Sequence, residues 1–277
     1  MNRFGEIFRK CLKNKTSIIG MVHVRSLPNC PLSRLSVQQL VDISCAETEI
    51  YKKYQLDGIC VENMFDVPYV TRRDSGPEVT AVMTRVCAEV KKCAPNLPIG
   101  VQILAALNQE AVAVAVAAGL QFVRCESFVF GHIADEGYMD GCAGSLLRYR
   151  RHLNADHILV LTDIKKKHSS HSITSDVSIG ETAKSAQFFL SDGLIITGQS
   201  TGHFPKLDEL KDIQELNLGI PLLIGSGVDD NNVGDCIEQE VSAVIVGSHF
   251  KKDGLWSNDL CENRISRFMD RVHQCSQ

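Results

Sequence analysis

Eight short runs of apolar and β-branched residues recur along almost the whole chain, and stretches of helical length separate them. Such alternation predicts a parallel sheet whose strands are joined by right-handed helical crossovers. The predicted strands are Ser17–Val24, Gly58–Asn63, Pro98–Leu104, Phe122–Ser127, Ile158–Lys165, Gly193–Gly198, Pro221–Val228 and Ala243–Phe250. The clearest helical patterns between them are Val37–Tyr54, Pro77–Lys92, Gln109–Ala118 and Leu207–Asn217.

Eight such units in 277 residues predict closure into a single (β/α)₈ TIM barrel, a fold that typically takes about 250 residues. An open doubly wound sheet is the alternative that the same alternation permits. The chain shows no linker or low-complexity tract. We therefore expect one barrel domain over residues 17–277, preceded by an N-terminal extension or helix over residues 1–16.

Composition and charge narrow the class of partner. The formal net charge is −4, which provides no electrostatic reason to expect nucleic acid, and no apolar run approaches the length of a membrane span. The 11 cysteines are irregularly spaced without a CxxC pair, so we expect reduced thiols in a cytosol-like compartment. The N-terminus carries five basic residues against Glu6. A solvated helix is the preferred interpretation, and a mitochondrial presequence is the alternative.

Strand parity identifies which side chains face the barrel centre. On the second strand Ile59 and Val61 share one face; because helices cover the outside of a barrel, Glu62 on the other face points inward. The polar residues placed inward in this way are His23, Glu62, Gln102, Arg124, Glu126, Asp163, Lys165 and Thr197. They lie toward the C-terminal strand ends, where barrel enzymes hold their active sites. A structural ion pair of Arg124 with Glu62 or Glu126 is the simpler alternative.

Glycine-rich turns follow the last three strands, and they predict a phosphate site. Glycines let backbone N–H groups approach an anion closely, and the loops after strands seven and eight are the recurrent phosphate site of these barrels. We expect the N–H groups of Gly227, Gly247 and Ser248 to bind the anion, with Asp229 or Asp230 capping the following helix. Tight turns alone are the alternative. The predicted substrate- and phosphate-binding residues are His23, Asn63, Gln102, Thr197, Gly198, Gly202, Gly225, Ser226, Gly227, Gly247 and Ser248.

The motifs, taken in order, resemble the BtpA/SgcQ family from about Ile18 to near the C-terminus. The matching stretches include Ile19-Gly20-Met21-Val22-His23, Val61-Glu62-Asn63, Pro98-Ile99-Gly100-Val101, Phe122-Val123-Arg124, Ala134-Asp135-Glu136-Gly137, Asp163-Ile164-Lys165-Lys166-Lys167-His168, Thr197-Gly198, Thr201-Gly202, Gly225-Ser226-Gly227-Val228 and Val246-Gly247-Ser248. The resemblance implies a barrel without an assigned reaction. Gln102 stands where the family pattern has Asn, which indicates a different ligand.

The segment after strand five carries the densest set of reactive groups. The family-like pattern favours catalytic roles for Asp163, Lys167 and His168, and we interpret Lys166 as a solvated residue. Glu62 and Arg124 complete the predicted catalytic set. His168 and His171 lie three apart, so a divalent metal is compatible with the sequence, although strand one lacks a His-x-His pair and no cofactor is required.

These residues predict an enzyme that acts on a small phosphorylated metabolite, sugar- or nucleoside-like, by lyase, aldolase or isomerase chemistry. The alternatives are a metal-assisted hydrolase and a non-enzymatic assembly or stability factor, since fold alone does not determine function. A homo-oligomer is compatible with the sequence. A large exposed apolar patch would favour the assembly factor.

Overall fold

The computed structural model describes residues 3–8, 16–198 and 202–276. Eight parallel strands close into a barrel: β1 (Ser17–His23), β2 (Gly58–Glu62), β3 (Ile99–Gln102), β4 (Phe122–Cys125), β7 (Leu159–Ile164), β9 (Gly193–Ile196), β10 (Leu222–Ile224) and β11 (Ala243–Val246). Around the barrel they follow one another in chain order, and β11 pairs with β1. The closed sheet confirms the predicted TIM barrel and contradicts the open sheet.

The remaining elements within the described residues include nine α-helices and three short strands. The helices are α1 (Arg3–Ile7), α2 (Val37–Lys53), α3 (Pro77–Cys93), α4 (Asn108–Ala118), α5 (Ala143–His152), α6 (Ile179–Phe188), α7 (Leu207–Glu215), α8 (Val233–Glu238) and α9 (Glu262–Cys275). The strands β5 (His132–Ala134), β6 (Gly137–Met139) and β8 (Ser169–Ser170) form a small antiparallel sheet above the barrel. No helix among the described residues is long and apolar enough to span a membrane.

Local sequence signals set the helix boundaries. The Ser36 and Ser178 side chains cap α2 and α6, and each forms a capping box with the third helical residue, Gln39 or Glu181. Gly119 ends α4 in the left-handed conformation at φ 69°. The predicted strands overrun the observed ones at their C-terminal ends, most of all in the last two, because glycines there lead into turns rather than extended chain.

The core has two layers that follow strand parity. Ile59 and Val61 pack outward against the helices, while Cys60 faces the barrel interior. Phe122 fills the interior at the level of Gly100, where any added Cβ would lie 2.1 Å from the Phe122 ring. The large ring therefore requires glycine on the neighbouring strand.

The helix α1 closes the N-terminal end of the barrel, so it is not the solvated helix that we expected. Phe4 and Phe8 are buried, and the Phe8 ring centroid lies 6.0 Å from that of Phe122. Arg3 bonds to Asp192 at the start of β9. Burial of these two rings outweighs the exposure that the basic composition suggests. The basic residues Arg9, Lys10, Lys13 and Lys15 lie outside the described residues.

Candidate active site

A cavity of about 560 Å³ opens at the C-terminal ends of the barrel strands. Most of the sequence-predicted site residues line it. They are His23, Glu62, Gln102, Arg124, Asp163, Lys167, His168, Thr197, Gly202, Gly225, Ser226, Gly227, Gly247 and Ser248. The inward parity of alternate strand residues explains why so many distant sequence positions meet in one place.

Two predicted binding residues lie outside this cavity. The Asn63 side chain donates to Asp66 Oδ2 at 3.0 Å and accepts from the Leu104 N–H at 2.9 Å, so it holds two loops together. The Gly198 N–H donates to Ser226 Oγ at 2.7 Å, and Gly198 borders a separate surface depression. The loop residues Gln199, Ser200 and Thr201, which share the predicted Gly-rich turn, are outside the described residues.

Arg124 and Asp163 form a buried ion pair at the base of the cavity. Arg124 Nε and Nη2 each donate to one Asp163 carboxylate oxygen at 3.0 Å. Their side chains are 6% and 2% exposed. The partner of Arg124 is therefore neither Glu62 nor Glu126, the two acids that the sequence suggested, because β7 rather than β2 lies next to β4. The two parallel bonds hold the guanidinium rigidly under the cavity.

Glu62 and His23 lie close together in the same cavity. Burial raises the pKa of Glu62 to about 7, although Arg124 and Lys167 attract its charge. Burial and the charge of Lys251 lower the pKa of His23 to about 3, so its imidazole is neutral. His23 Nδ1 lies 3.2 Å from the Trp256 carbonyl, which assigns the proton to Nδ1. The unprotonated Nε2 then faces Glu62 Oε2 at 3.5 Å.

The alternation of inward and outward side chains along β7 ends at Lys165, so two predictions about the following lysines are wrong. Lys165 has φ 46°, a left-handed conformation, so its Nζ leaves the cavity and donates to the Thr174 carbonyl at 2.9 Å. Lys166, expected to be solvated, instead bonds to Glu126 Oε1 at 3.3 Å with its side chain 10% exposed. Strand parity cannot be extended beyond a residue with positive φ.

Lys167 and His168 line the same wall. The Lys167 N–H donates to Thr197 Oγ1 at 3.0 Å, which ties the loop after β7 to the end of β9. Burial and the charge of Arg124 lower the pKa of Lys167. Burial, followed by the charges of Lys167 and Lys166, lowers the pKa of His168. In both groups the charged form is therefore less favoured than it is in water.

The opposite wall consists of the glycine turns after β10 and β11. Gly227 has φ 69°, and an added Cβ would lie 2.1 Å from the His203 carbonyl carbon, so only glycine fits. The Ser226 hydroxyl donates to the His203 carbonyl at 2.9 Å and is occupied within the protein. Within the described part of the chain, the N–H groups of Ser226 and Gly227 make no hydrogen bond.

At the turn after β11, a Cβ added to Gly247 would lie 3.4 Å from the His23 imidazole. A single 3-10 turn, Ser248–Phe250, follows. Asp229 Oδ1 accepts from the N–H groups of Asn231 and Asn232 in the turn before α8. The N-cap of α8 is Asn232, without a side-chain cap bond, so the prediction that Asp229 or Asp230 caps this helix is wrong.

Sequence reasoning missed part of the cavity wall. The hairpin of β5 and β6 brings Asp135 and Glu136 to the mouth, and the loops after β2 and β11 contribute Tyr69 and Trp256. The Asp135-Glu136-Gly137 turn between alternating apolar residues was a usable hairpin signal. Among the described residues no three His, Cys, Asp or Glu side chains cluster with a geometry that holds a metal.

Solved structures share the fold at low sequence identity. Over 99% of both chains, (S)-3-O-geranylgeranylglyceryl phosphate synthase from Thermoplasma acidophilum, in complex with sn-glycerol-1-phosphate, superposes with a TM-score of 0.59 at 11% identity. Thiamine phosphate pyrophosphorylase from Pyrococcus furiosus has a TM-score of 0.58 at 13% identity, over 95% of this chain and 98% of the other. Both likenesses concern the barrel architecture.

Sequence relatives define the family. An uncharacterised protein of Caenorhabditis elegans, described as mitochondrial, is 45% identical over 92% of both chains. The photosystem I biogenesis protein BtpA of Synechocystis is 31% identical over 92% of this chain and 87% of its own length. The BtpA family profile matches residues 14–274. The protein therefore belongs to the BtpA family.

Proposed function

We propose that the protein is an enzyme acting on a small phosphorylated metabolite, sugar- or nucleoside-like, by acid–base chemistry of the lyase, aldolase or isomerase type. One observation carries the proposal. A buried carboxyl group with a pKa of about 7, Glu62, lies in the same cavity as the two glycine turns. Within the described part of the chain, the N–H groups of Gly227, Gly247 and Ser248 donate no hydrogen bond. Such a carboxyl group both accepts and releases a proton near neutral pH.

The residues divide the work between binding and chemistry. The N–H groups of Gly227, Gly247 and Ser248 hold the phosphate, which positions the rest of the substrate over the centre of the barrel. Glu62 then removes or returns a proton on the substrate. Arg124 and Lys167 stabilise the negative charge that develops on an oxygen.

Lys167 has a second proposed role as a nucleophilic amine. A lysine attacks a carbonyl only when it is unprotonated, and burial shifts Lys167 in that direction. The amine would add to a substrate carbonyl carbon, and loss of water would leave a Schiff base. Borohydride trapping separates the two roles, since a covalent adduct at Lys167 supports the Schiff base and its absence leaves electrostatic assistance.

The phosphate site is tested by thermal shift with inorganic phosphate and phosphate esters. A Gly227→Glu variant should lose the response, but the backbone at Gly227 rejects any Cβ. Gly247→Asp is therefore the sharper variant: Gly247 has an ordinary φ of −111° and its Cβ has room. We expect phosphate to stabilise the wild type and Gly247→Ala, and not Gly247→Asp, whose carboxylate repels the anion. A wild type that no phosphate compound stabilises would contradict the proposal.

One surface feature favours a second candidate, a non-enzymatic assembly factor. Phe188, Phe189 and Leu190 at the C-terminal end of α6 are 79%, 48% and 69% exposed. An adjacent apolar triplet of this kind is typical of interaction surfaces. Replacing all three by Ser should abolish the assembly role if it exists, and should leave phosphate binding unchanged.

We further propose a reducing compartment, the cytosol or the mitochondrial matrix. The ten described cysteines are all free thiols, and the Caenorhabditis elegans relative is described as mitochondrial. A fluorescent protein fused to the C-terminus, imaged with a mitochondrial dye, distinguishes the two locations.

A further inference from the structure

Two acceptor atoms in the cavity wall have no donor. Gln102 Oε1 and Glu136 Oε2 are inaccessible to solvent, yet neither has a hydrogen-bond partner among the described residues. Gln102 is 2% exposed, and both residues line the cavity. Buried acceptors in folded proteins are nearly always satisfied, so an unsatisfied pair facing one cavity requires an explanation.

The two residues lie across the mouth from the glycine turns. Gln102 ends β3, and Glu136 lies in the turn of the hairpin that follows β4. In the barrel order β3 is four strands from β10, and β4 is four strands from β11. The cavity thus has backbone donors on one side and side-chain acceptors on the other. A ligand that spans it must offer an anion at one end and hydrogen-bond donors at the other.

The charges around Gln102 and Glu136 also favour a ligand that carries hydrogen-bond donors. Burial, and then the carboxylates of Glu62, Glu126 and Glu136, raise the pKa of Tyr69, so these three acids share one neighbourhood. Lys166 pairs with Glu126. No ion pair with Glu136 is present within the described residues. A carboxylate on the ligand would be repelled here, whereas a hydroxyl or ammonium group would be attracted.

The hairpin holds Glu136 in place. Residues Ile133 and Ala134 of β5 pair with Ser170 and Ser169 of β8, so the loops after β4 and β7 are joined by backbone hydrogen bonds. Glu136 lies in the two-residue turn between β5 and β6, and a turn with paired strands on both sides is positioned more accurately than an unpaired loop.

We infer that Gln102 and Glu136 form a specificity subsite that binds hydroxyl or amino groups at the end of the substrate remote from its phosphate. The inference rests on the proposed function and deepens it. The subsite selects polyhydroxylated or amino phosphate esters and rejects phosphorylated carboxylic acids and alkyl phosphates. Neither residue transfers a proton in the reaction; their role is recognition.

The test compares four ligands by isothermal titration: inorganic phosphate, ribose 5-phosphate, glucosamine 6-phosphate and 3-phosphoglycerate. The wild type should bind the two donor-rich esters about tenfold tighter than 3-phosphoglycerate, as expected for a satisfied buried acceptor. Gln102→Met keeps the side-chain volume and Glu136→Gln removes the charge. Gln102→Met should erase the preference for both esters, Glu136→Gln should erase it for the amino ester at least, and both variants should leave the affinity for inorganic phosphate unchanged. Asp140→Asn, an exposed acid at the base of the same hairpin, is the matched control and should change nothing.

The variants also separate the two donor types. Selective loss of the amino ester in Glu136→Gln identifies an ammonium subsite, and equal loss of both esters identifies hydroxyl recognition. If 3-phosphoglycerate binds the wild type as tightly as the other esters, or if both variants keep the preference, the inference is overturned while the phosphate site stands. If inorganic phosphate produces no response that Gly247→Asp abolishes, the proposed function fails, and the inference fails with it.

Discussion

The two ends of the barrel are built from the same eight strands and are chemically opposite. At the N-terminal end, Phe4, Phe8 and Phe122 close the interior with aromatic rings. At the C-terminal end, Arg124 and Asp163 continue the same inward rows with charge. The apolar end gains free energy by excluding water, whereas the polar end spends stability to hold charged groups in a preorganised array.

This difference predicts which property of the protein a substitution at each end of the barrel will change. Changes at the closed end should alter the free energy of unfolding and leave ligand binding intact. Changes at the mouth should alter binding and chemistry, and they should destabilise the fold only where they leave a buried charge without its partner. The predictions below test this division.

The largest effect is expected at the buried ion pair. Asp163→Asn leaves the Arg124 guanidinium buried without a counter-charge, which should lower the free energy of unfolding by about 3–5 kcal/mol. Urea denaturation measures the loss. The double variant Arg124→Met/Asp163→Leu should recover most of the stability without recovering ligand binding. A loss below about 1 kcal/mol in the single variant would mean that another group neutralises Arg124.

A substitution at the closed, N-terminal end of the barrel should lower stability without changing ligand binding. Phe8→Ala removes a ring that is 3% exposed and should cost about 3 kcal/mol by leaving a cavity under the barrel. The affinity for phosphate, measured by titration calorimetry, should stay within about twofold of the wild type. A large change in affinity would show that the two ends of the barrel are coupled, and the division would then be wrong.

Titration of Glu62 should make stability depend on pH. Its pKa is raised from 4.5 to about 7 in the folded state, so its contribution to stability is fully present below pH 4.5 and is lost as pH rises through 7. The loss is on the order of 3 kcal/mol. Glu62→Gln removes this dependence, so the stability of the variant relative to wild type should increase across that window. Parallel pH curves from urea unfolding would contradict the shifted pKa.

His23 acts in the opposite direction and serves as an internal check. Its pKa is lowered from 6.5 to about 3, so its contribution is present above pH 6.5 and is lost as pH falls toward 3. In the Glu62→Gln background, the loss of stability that His23 causes on the acid side should therefore remain in the same urea measurement.

The smallest effect is expected on ligand binding, where replacing Lys167 is compared with replacing Lys165 two residues earlier. Lys167→Met should weaken binding of phosphate esters about tenfold, because a positive charge leaves the cavity wall. Lys165→Met should have no effect, because Lys165 Nζ bonds to the Thr174 carbonyl outside the cavity. Once a substrate is identified, His168→Ala should lower turnover as Lys167→Met does. Equal binding by both lysine variants would show that the Lys167 charge does not contribute to ligand binding.

Regular strands made the sequence informative about the site. Because successive side chains of a strand point to opposite faces, the sequence placed His23, Glu62 and Gln102 in the cavity without any knowledge of tertiary contacts. The same rule failed after Ile164, since the positive φ of Lys165 exchanges the faces that follow it. The buried rings of α1 were missed because the basic residues around them suggested exposure.

The sequence by itself determined the barrel, the inward rows of polar residues and the glycine turns at its mouth, because each follows from local periodicity or from the conformational freedom of glycine. Only the tertiary structure decided the partners. Arg124 and Asp163 are 39 residues apart and meet because β4 and β7 are neighbours. The pKa of Glu62 and the unsatisfied acceptors of Gln102 and Glu136 likewise depend on burial, which arises only when distant strands and loops pack around one cavity.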